Sequence, residues 1–220
     1  MLQLDTVIFD MDGLLIDSEP LWYEAGAEVL AQYGKQLSKT LYEQTVGLRT
    51  EEWLEYWFRH FNIPFDTIDT AKIQIEQRVE QKIRTKGKAL PGLEHIFHYF
   101  HARRYKIGLA TSSALKIAQA VTDVLGIKPF LQAITSAEHL PYGKPHPQVY
   151  IECAEQLQSD PSSCICFEDS FNGMIAAKAA KMQCVVVPVH NQLQDSKWGA
   201  ADLKISSLQN FNDLLLTRFR

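Results

Sequence analysis

Short, nearly continuous apolar runs punctuate this chain at Thr6–Phe9, Ile107–Ala110, Ala133–Thr135, Cys164–Phe167 and Cys184–Val187, with a weaker one at Leu203–Ile205. A strand with one solvated face alternates apolar and polar residues. An unbroken run has to be buried on both faces, as the strands of a parallel sheet are. Helical patterns lie between the runs. Pro91 can occupy a first helical turn, which puts Leu93, Ile96, Phe97 and Phe100 on one face. Ala114–Leu125 follows and is stopped by Gly126. Pro147–Leu157 lines up Val149, Tyr150, Cys153, Ala154 and Leu157, and Phe171–Met182 is rich in alanine. Strand and helix in this rhythm predict βαβ units and an α/β fold with a doubly wound parallel sheet.

Residues 15–89 break the rhythm. Leu21, Trp22, Ala25, Val29 and Leu30 form one helical stripe, ended by Gly34. Trp53, Trp57, Phe58 and Phe61 form a second, and Ile68, Ile75, Val79 and Ile83 a third. The pattern predicts a small α-helical cap domain at 15–89, inserted into a core domain made of 1–14 and 90–220. The hinges then fall near Gly13–Asp17 and Gly87–Leu90. A chain of 220 residues has room for one core of the usual size, roughly 150 residues, and a smaller companion.

Composition removes several classes of partner. The chain is 46% hydrophobic and 22% charged, which excludes a disordered or low-complexity protein. Lys and Arg number 22 against 26 Asp and Glu, a net charge of −4, so no nucleic-acid partner is expected. No apolar run approaches the roughly 18 residues needed to span a membrane. No cationic stretch precedes Val7–Phe9, so no secretory leader or membrane partner is expected. None of Cys153, Cys164, Cys166 and Cys184 forms a C-x-x-C pair. Cys164 and Cys166 fall on one face of a strand, which suits packed thiols, an absence of disulfides and a reducing cytoplasm. Nothing sets an oligomeric state, and a monomer is compatible with the sequence.

Four segments carry candidate chemistry. Asp10-Met11-Asp12-Gly13 follows the first apolar run directly. Ligands of open α/β sheets bind beyond the carboxyl ends of strands, so Asp10 and Asp12 project at the natural site. Acids so close repel one another unless a cation or ligand compensates. Thr111-Ser112-Ser113 ends the next run and opens a helix, where hydroxyls and free N–H groups can seat a phosphate or simply cap the helix. Lys144, in Tyr142-Gly143-Lys144-Pro145, lies between a strand and a helix. Its ammonium can offset phosphate charge there. Glu168-Asp169-Ser170 ends the run Cys164–Phe167 with two more acids. Acids and a lysine on neighbouring strand ends suit a hard divalent cation holding a phosphate, and oxygen ligands with room for water suit Mg²⁺.

Other motifs read as structural. His95, His98 and His101 are three apart, but the third swings off the shared face, so no metal site is expected. Trp53 and Trp57 read as packing of the helical insert. Cys164-Ile165-Cys166 reads as strand thiols with no redox role.

The four segments, in this order, resemble the four motifs of the haloacid dehalogenase superfamily of phosphotransferases, and the insert resembles the cap of its β-phosphoglucomutase-like subgroup. The resemblance implies Asp10 as nucleophile, Asp12 as general acid/base, Thr111 and Ser112 as phosphate binders and Lys144 as the third-motif lysine. It implies Mg²⁺ held by Asp10, Asp12, Asp169 and Glu168. Ser136–Tyr150, Glu168–Met174 and Gly47-Leu48-Arg49 look very like the corresponding segments of bacterial hexitol phosphatase and 2-deoxyglucose-6-phosphate phosphatase proteins. Arg49 matches a cap-loop arginine that reaches substrate in such enzymes. The expectation is an Mg²⁺-dependent phosphatase acting on a small phosphorylated sugar or sugar alcohol through an aspartyl-phosphate. A β-phosphoglucomutase-type transfer or another small phosphate such as phosphoglycolate are the alternatives, and a phosphate-binding protein without activity is a further one. One departure bears on them: the mutases carry a cap histidine where this chain has Trp22.

Overall fold

A computed structural model describes residues 4–219. Six parallel strands form one sheet: β1 (Thr6–Phe9), β2 (Lys106–Thr111), β3 (Ala133–Ser136), β4 (Cys164–Glu168), β5 (Gln183–Val186) and β6 (Leu203–Lys204). The order is β3-β2-β1-β4-β5-β6. The chain therefore winds one way from β1 through β3, returns to the far side of β1 for β4, and winds the other way. The crevice of such a sheet opens at that reversal, beyond the carboxyl ends of β1 and β4.

The continuous apolar runs have the cause the sequence pattern implied. Alternate residues serve two separate cores. Val7, Phe9, Leu109, Ile165 and Phe167 enter one, and Ile8, Ala110, Cys164, Cys166 and Cys184 enter the other. Helices cover both faces: α5 (Leu93–Ala102), α6 (Leu115–Val124), α7 (Gln148–Gln156), α8 (Phe171–Ala179) and the short α9 (Asp213–Leu216). Gly126 takes φ +67° after α6, as a helix stop should. Pro91 lies ahead of α5 instead of inside its first turn. Gly92, at φ +93°, is the N-cap, and a Cβ there would meet the backbone of Gln209 at 2.1 Å. The four cysteines are free and buried. No helix among the described residues is long and apolar enough to cross a membrane.

The segment between β1 and β2 carries α1 (Glu19–Gln32), α2 (Lys39–Tyr42), α3 (Thr50–Phe61) and α4 (Ile68–Lys86). Helix α4 packs against α1 and α3, and also against α6. The two connections run side by side: Asp17 N–H donates to the Lys88 carbonyl (3.0 Å) and Leu90 N–H to that of Leu15 (2.9 Å).

Candidate active site

Asp10 is the first residue beyond β1 and is 7% exposed. The turn that follows needs glycine. Gly13 has φ +76°, and a Cβ there would stand 2.2 Å from Asp169 Oδ2. The turn of the first segment is thus cut to fit the acid of the fourth.

Lys144 is enclosed by acceptors. Its Nζ donates to Asp10 Oδ1, to Glu168 Oε1 (2.7 Å), to Tyr150 Oη (3.0 Å) and to the Ala110 carbonyl (3.1 Å). Burial alone would discharge it, but Asp10 and Glu168 outweigh burial and hold it cationic. Glu168 has no solvent exposure. Its Oε1 accepts from Lys144 and Tyr150, and its Oε2 from the N–H groups of Asp169 and Ser170 and from Ser170 Oγ. A Cβ on Gly173 would fall 1.8 Å from Glu168 Oε1, so α8 opens with glycine to admit this carboxylate. With five donors on two oxygens, Glu168 orients Lys144 and the Asp169 backbone. Tyr150, which the sequence pattern placed in a helix stripe, belongs to this network.

Asp10, Glu168 and Asp169 bring one carboxylate oxygen each within 4.8 Å of one another. Asp169 Oδ1 is buried with no hydrogen-bond partner among the described residues. Burial raises the Asp169 pKa well above the usual carboxylate range, with further push from Asp10, Glu168 and Glu19. Burial pushes Asp10 up to about 8 against the pull of Lys144. Clustered acids with an orphaned oxygen are what a hard divalent cation would resolve, and the donor set is all oxygen, so Mg²⁺ fits.

Asp12 stands outside this cluster, so its side chain does not join the metal-ligand set expected of it. Its Oδ1 accepts from Ser18 Oγ (2.6 Å) and Trp22 Nε1 (3.0 Å), and its Oδ2 from Ser113 Oγ (2.7 Å). Ser18 precedes α1 in N-cap position yet makes no side-chain cap bond, because its hydroxyl serves Asp12. Ser113 is likewise not a cap, since α6 is capped at Ala114. Thr111 Oγ1 instead accepts from Ser113 N–H (3.0 Å). Sequence reasoning missed Ser18, Ser113 and the Trp22 bond. A serine at a helix start reads as a cap in any sequence, and only its partner distinguishes it.

One cavity of about 730 Å³, including space open to solvent, joins these groups. Asp10, Asp12, Thr111, Ser112, Lys144 and Asp169 wall it on the sheet side. Glu19, Trp22, Tyr42 and Trp53 wall it on the side of the insert. Burial raises Glu19 to about 7, assisted by Asp12 and Asp17 and opposed by a hydrogen bond from Tyr42 (2.8 Å). Trp53 and Trp57 both pack in the core of the insert, as read from their spacing; Trp53 also lies in the cavity wall, and Trp57 donates to Thr45 Oγ1 (3.1 Å).

Arg49 does not line this cavity. Its guanidinium donates to the carbonyls of Leu140 (2.7 Å) and Ala137 (3.3 Å) and to Glu52 Oε1 (2.7 Å). Its stem crosses Gly143, where a Cβ would sit 2.9–3.0 Å away. Backbone carbonyls and a helix-start glutamate receive its two terminal NH2 groups, while Nε is buried with no partner among the described residues, so in this structure Arg49 ties the insert to the loop that carries Lys144. His95 Nε2 lies 2.7 Å from the Phe211 carbonyl, and the rings of His98 and His101 pack on Phe130. Among the described residues, the one cluster able to hold a metal is that of Asp10.

A sequence model described as haloacid dehalogenase-like hydrolase matches residues 7–187, a span from β1 past β5 that includes all four segments. The chain belongs to the haloacid dehalogenase-like hydrolase family. Within that family it is 38% identical to Hexitol phosphatase B of Escherichia coli (strain K12) over 207 residues, covering 94% of this chain and 93% of that one. It is 30% identical over 194 residues to a phosphorylated carbohydrates phosphatase of Thermotoga maritima, covering 88% and 89%. A β-phosphoglucomutase from Clostridium difficile superposes with a TM-score of 0.87 at 23% identity, covering 99% of this haloacid dehalogenase-like chain and 97% of that one. That likeness establishes the shared fold.

Proposed function

We propose that this enzyme is an Mg²⁺-dependent phosphatase that hydrolyses small sugar phosphates or sugar-alcohol phosphates through an aspartyl-phosphate. The observation that carries the reading is the pairing of Asp10, in contact with Lys144, with Asp12 across one cavity at the sheet's switch point. The phosphatases among its relatives support it. In this reading the helices of 15–89 are a cap domain over a core of 1–14 and 90–220.

Asp10 is the nucleophile. Its carboxylate attacks phosphorus, the bond from phosphorus to the ester oxygen breaks, and an acyl phosphate forms on Asp10. Lys144 favours the ionised form of Asp10 and offsets charge on the phosphoryl oxygens. Thr111 and Ser112 hold the phosphate. Asp12 gives its proton to the departing alkoxide and then takes one from the water that hydrolyses the acyl phosphate. Trp22 N–H can only donate, so it reserves Asp12 Oδ1 as an acceptor, while the Ser113 hydroxyl can rotate to accept. The mobile proton therefore sits on Oδ2. Asp10, Asp169 and the Asp12 backbone carbonyl, with Glu168 behind them, would hold Mg²⁺, which would supply charge neutralisation between carboxylate and phosphate.

Trp22 also bears on the mutase alternative. An indole cannot carry a proton to or from a sugar hydroxyl, so transfer to water is favoured at this site. The test is phosphate release from hexose, hexitol, pentose and glycolate phosphates with Mg²⁺, with EDTA, and with Asp10→Asn. Release that favours hexose or hexitol phosphates and is lost with EDTA and in the variant is the expected result. An isomerised sugar phosphate without free phosphate would return the mutase. Silence on every substrate would leave a binding protein.

A further inference from the structure

The chain has four tryptophans. Three have an acceptor for the indole N–H: Trp22 on Asp12 (3.0 Å), Trp57 on Thr45 Oγ1 (3.1 Å) and Trp198 on the Gln192 carbonyl (2.8 Å). Trp53 does not. Its Nε1 is buried without a partner among the described residues, although the side chain is only 7% exposed. An N–H withdrawn from water with nothing to receive it is unfavourable, and native proteins seldom tolerate one. Trp53 is also the one of these buried indoles that combines a missing acceptor with a place in the cavity wall.

The surroundings are built for this ring. Gly26 lies inside α1, where glycine weakens a helix. A Cβ at that position would approach the benzo edge of Trp53 to 2.7–2.8 Å. Any larger residue would push the indole out of its place, and Gly26 and Trp53 both wall the cavity. The helix gives up a better residue so that this indole can lie against it.

We propose that Trp53 is a specificity-determining residue, whose Nε1–H donates to an oxygen on the carbon skeleton of the substrate and selects polyhydroxylated phosphate esters. The inference rests on the phosphatase reading and goes beyond it by assigning the group that reads the non-phosphate half. A hydroxyl oxygen accepts readily from an indole. The same wall carries Glu19. A substrate whose oxygens belong to a carboxylate, as in a phosphorylated hydroxy acid, would set its negative charge against that acid. The wall therefore fits a neutral polyol or sugar.

The experiment compares wild type with Trp53→Phe, which keeps the ring and removes the N–H. Two substrates are used: a hexitol phosphate and an aryl phosphate, which has no aliphatic hydroxyl. One hydrogen bond of the usual strength is worth roughly tenfold. The expected result is an about tenfold fall in kcat/KM for the hexitol phosphate, carried mainly by KM, with the aryl phosphate within about twofold of wild type. An equal fall on both substrates would mean a structural role and overturn the proposal, as would no fall on either. Hydrolysis of neither substrate by wild type would remove the phosphatase reading first and this inference with it. Should Trp53→Phe fail to fold, monodeoxy hexitol phosphates on wild type decide the matter. One position must lose about tenfold on deoxygenation, and uniform rates across the series refute the assignment. Where the variant folds, that position's penalty must vanish in it.

Discussion

Replacing Glu19 with glutamine should stabilise the metal-free protein at pH 8 and do almost nothing near pH 4.5. Glu19 sits in the cavity wall, and burial lifts its pKa from 4.5 to about 7. A carboxyl whose folded pKa lies above its unfolded one binds protons more tightly when folded. Stability is then fully present below the unfolded value and is lost as pH rises through 4.5 towards 7. A shift of this size corresponds to about 3 kcal/mol at pH 8, at 1.36 kcal/mol per unit. Glu19 is only partly buried by surface area, so solvent trims that to about 2 kcal/mol. Glutamine keeps an oxygen to accept from Tyr42 and has no charge to bury. The assay is thermal and urea unfolding in EDTA at pH 8 and pH 4.5. The expected gain at pH 8 is about 2 kcal/mol, or roughly 4–8 °C in Tm for a chain of this size. At pH 4.5 it shrinks to about a few tenths of a kcal/mol. An equal gain at both pH values, or a loss at pH 8, would refute the reasoning that charge burial at Glu19 destabilises the site.

Three further outcomes follow from the same geometry. Gly13→Ala puts a Cβ 2.2 Å from Asp169 Oδ2 in a left-handed turn. It should lose about 1–2 kcal/mol of stability from backbone strain, and its Mg²⁺ affinity by calorimetric titration should fall by about tenfold or more. Lys144→Met leaves Asp10 and the fully buried Glu168 without their counter-charge. Urea unfolding at pH 8 should show a loss of about 3–5 kcal/mol, and turnover should vanish. Arg49→Ala removes donors from the Leu140 and Ala137 carbonyls. It should cost about 2 kcal/mol in urea unfolding, with KM changing far less than it would for a residue that holds substrate.

How much of this was legible in the chain depends on the reach of each interaction. The strands were legible because burial on both faces of a parallel sheet leaves an unbroken apolar run, as Val7-Ile8-Phe9 shows by sending alternate residues into two cores. Asp10, Thr111 and Glu168 were legible at one edge because each ends or directly follows a strand, and Lys144 because its loop joins β3 to the next helix; the parallel topology does the rest. Three helices of the insert, α1, α3 and α4, were legible from their period, and the single-turn α2 was not.

The directions of side chains were not. Period places Trp53 and Trp57 on one stripe of α3, yet Trp57 finds Thr45 and Trp53 reaches the cavity wall. Arg49 carries the same charge whether it meets a substrate or the carbonyls of Ala137 and Leu140. Ser18 and Ser113 look like caps until Asp12 is seen between them. By itself the sequence determined which residues are apolar, where strands and helices alternate and which acids follow a strand, because those are matters of local pattern. The tertiary structure alone decided which donors meet Asp12, how Lys144 is enclosed and which indole is left without an acceptor. Those depend on how the inserted helices settle against the sheet edge, where the contacts join residues as far apart as Asp12 and Ser113.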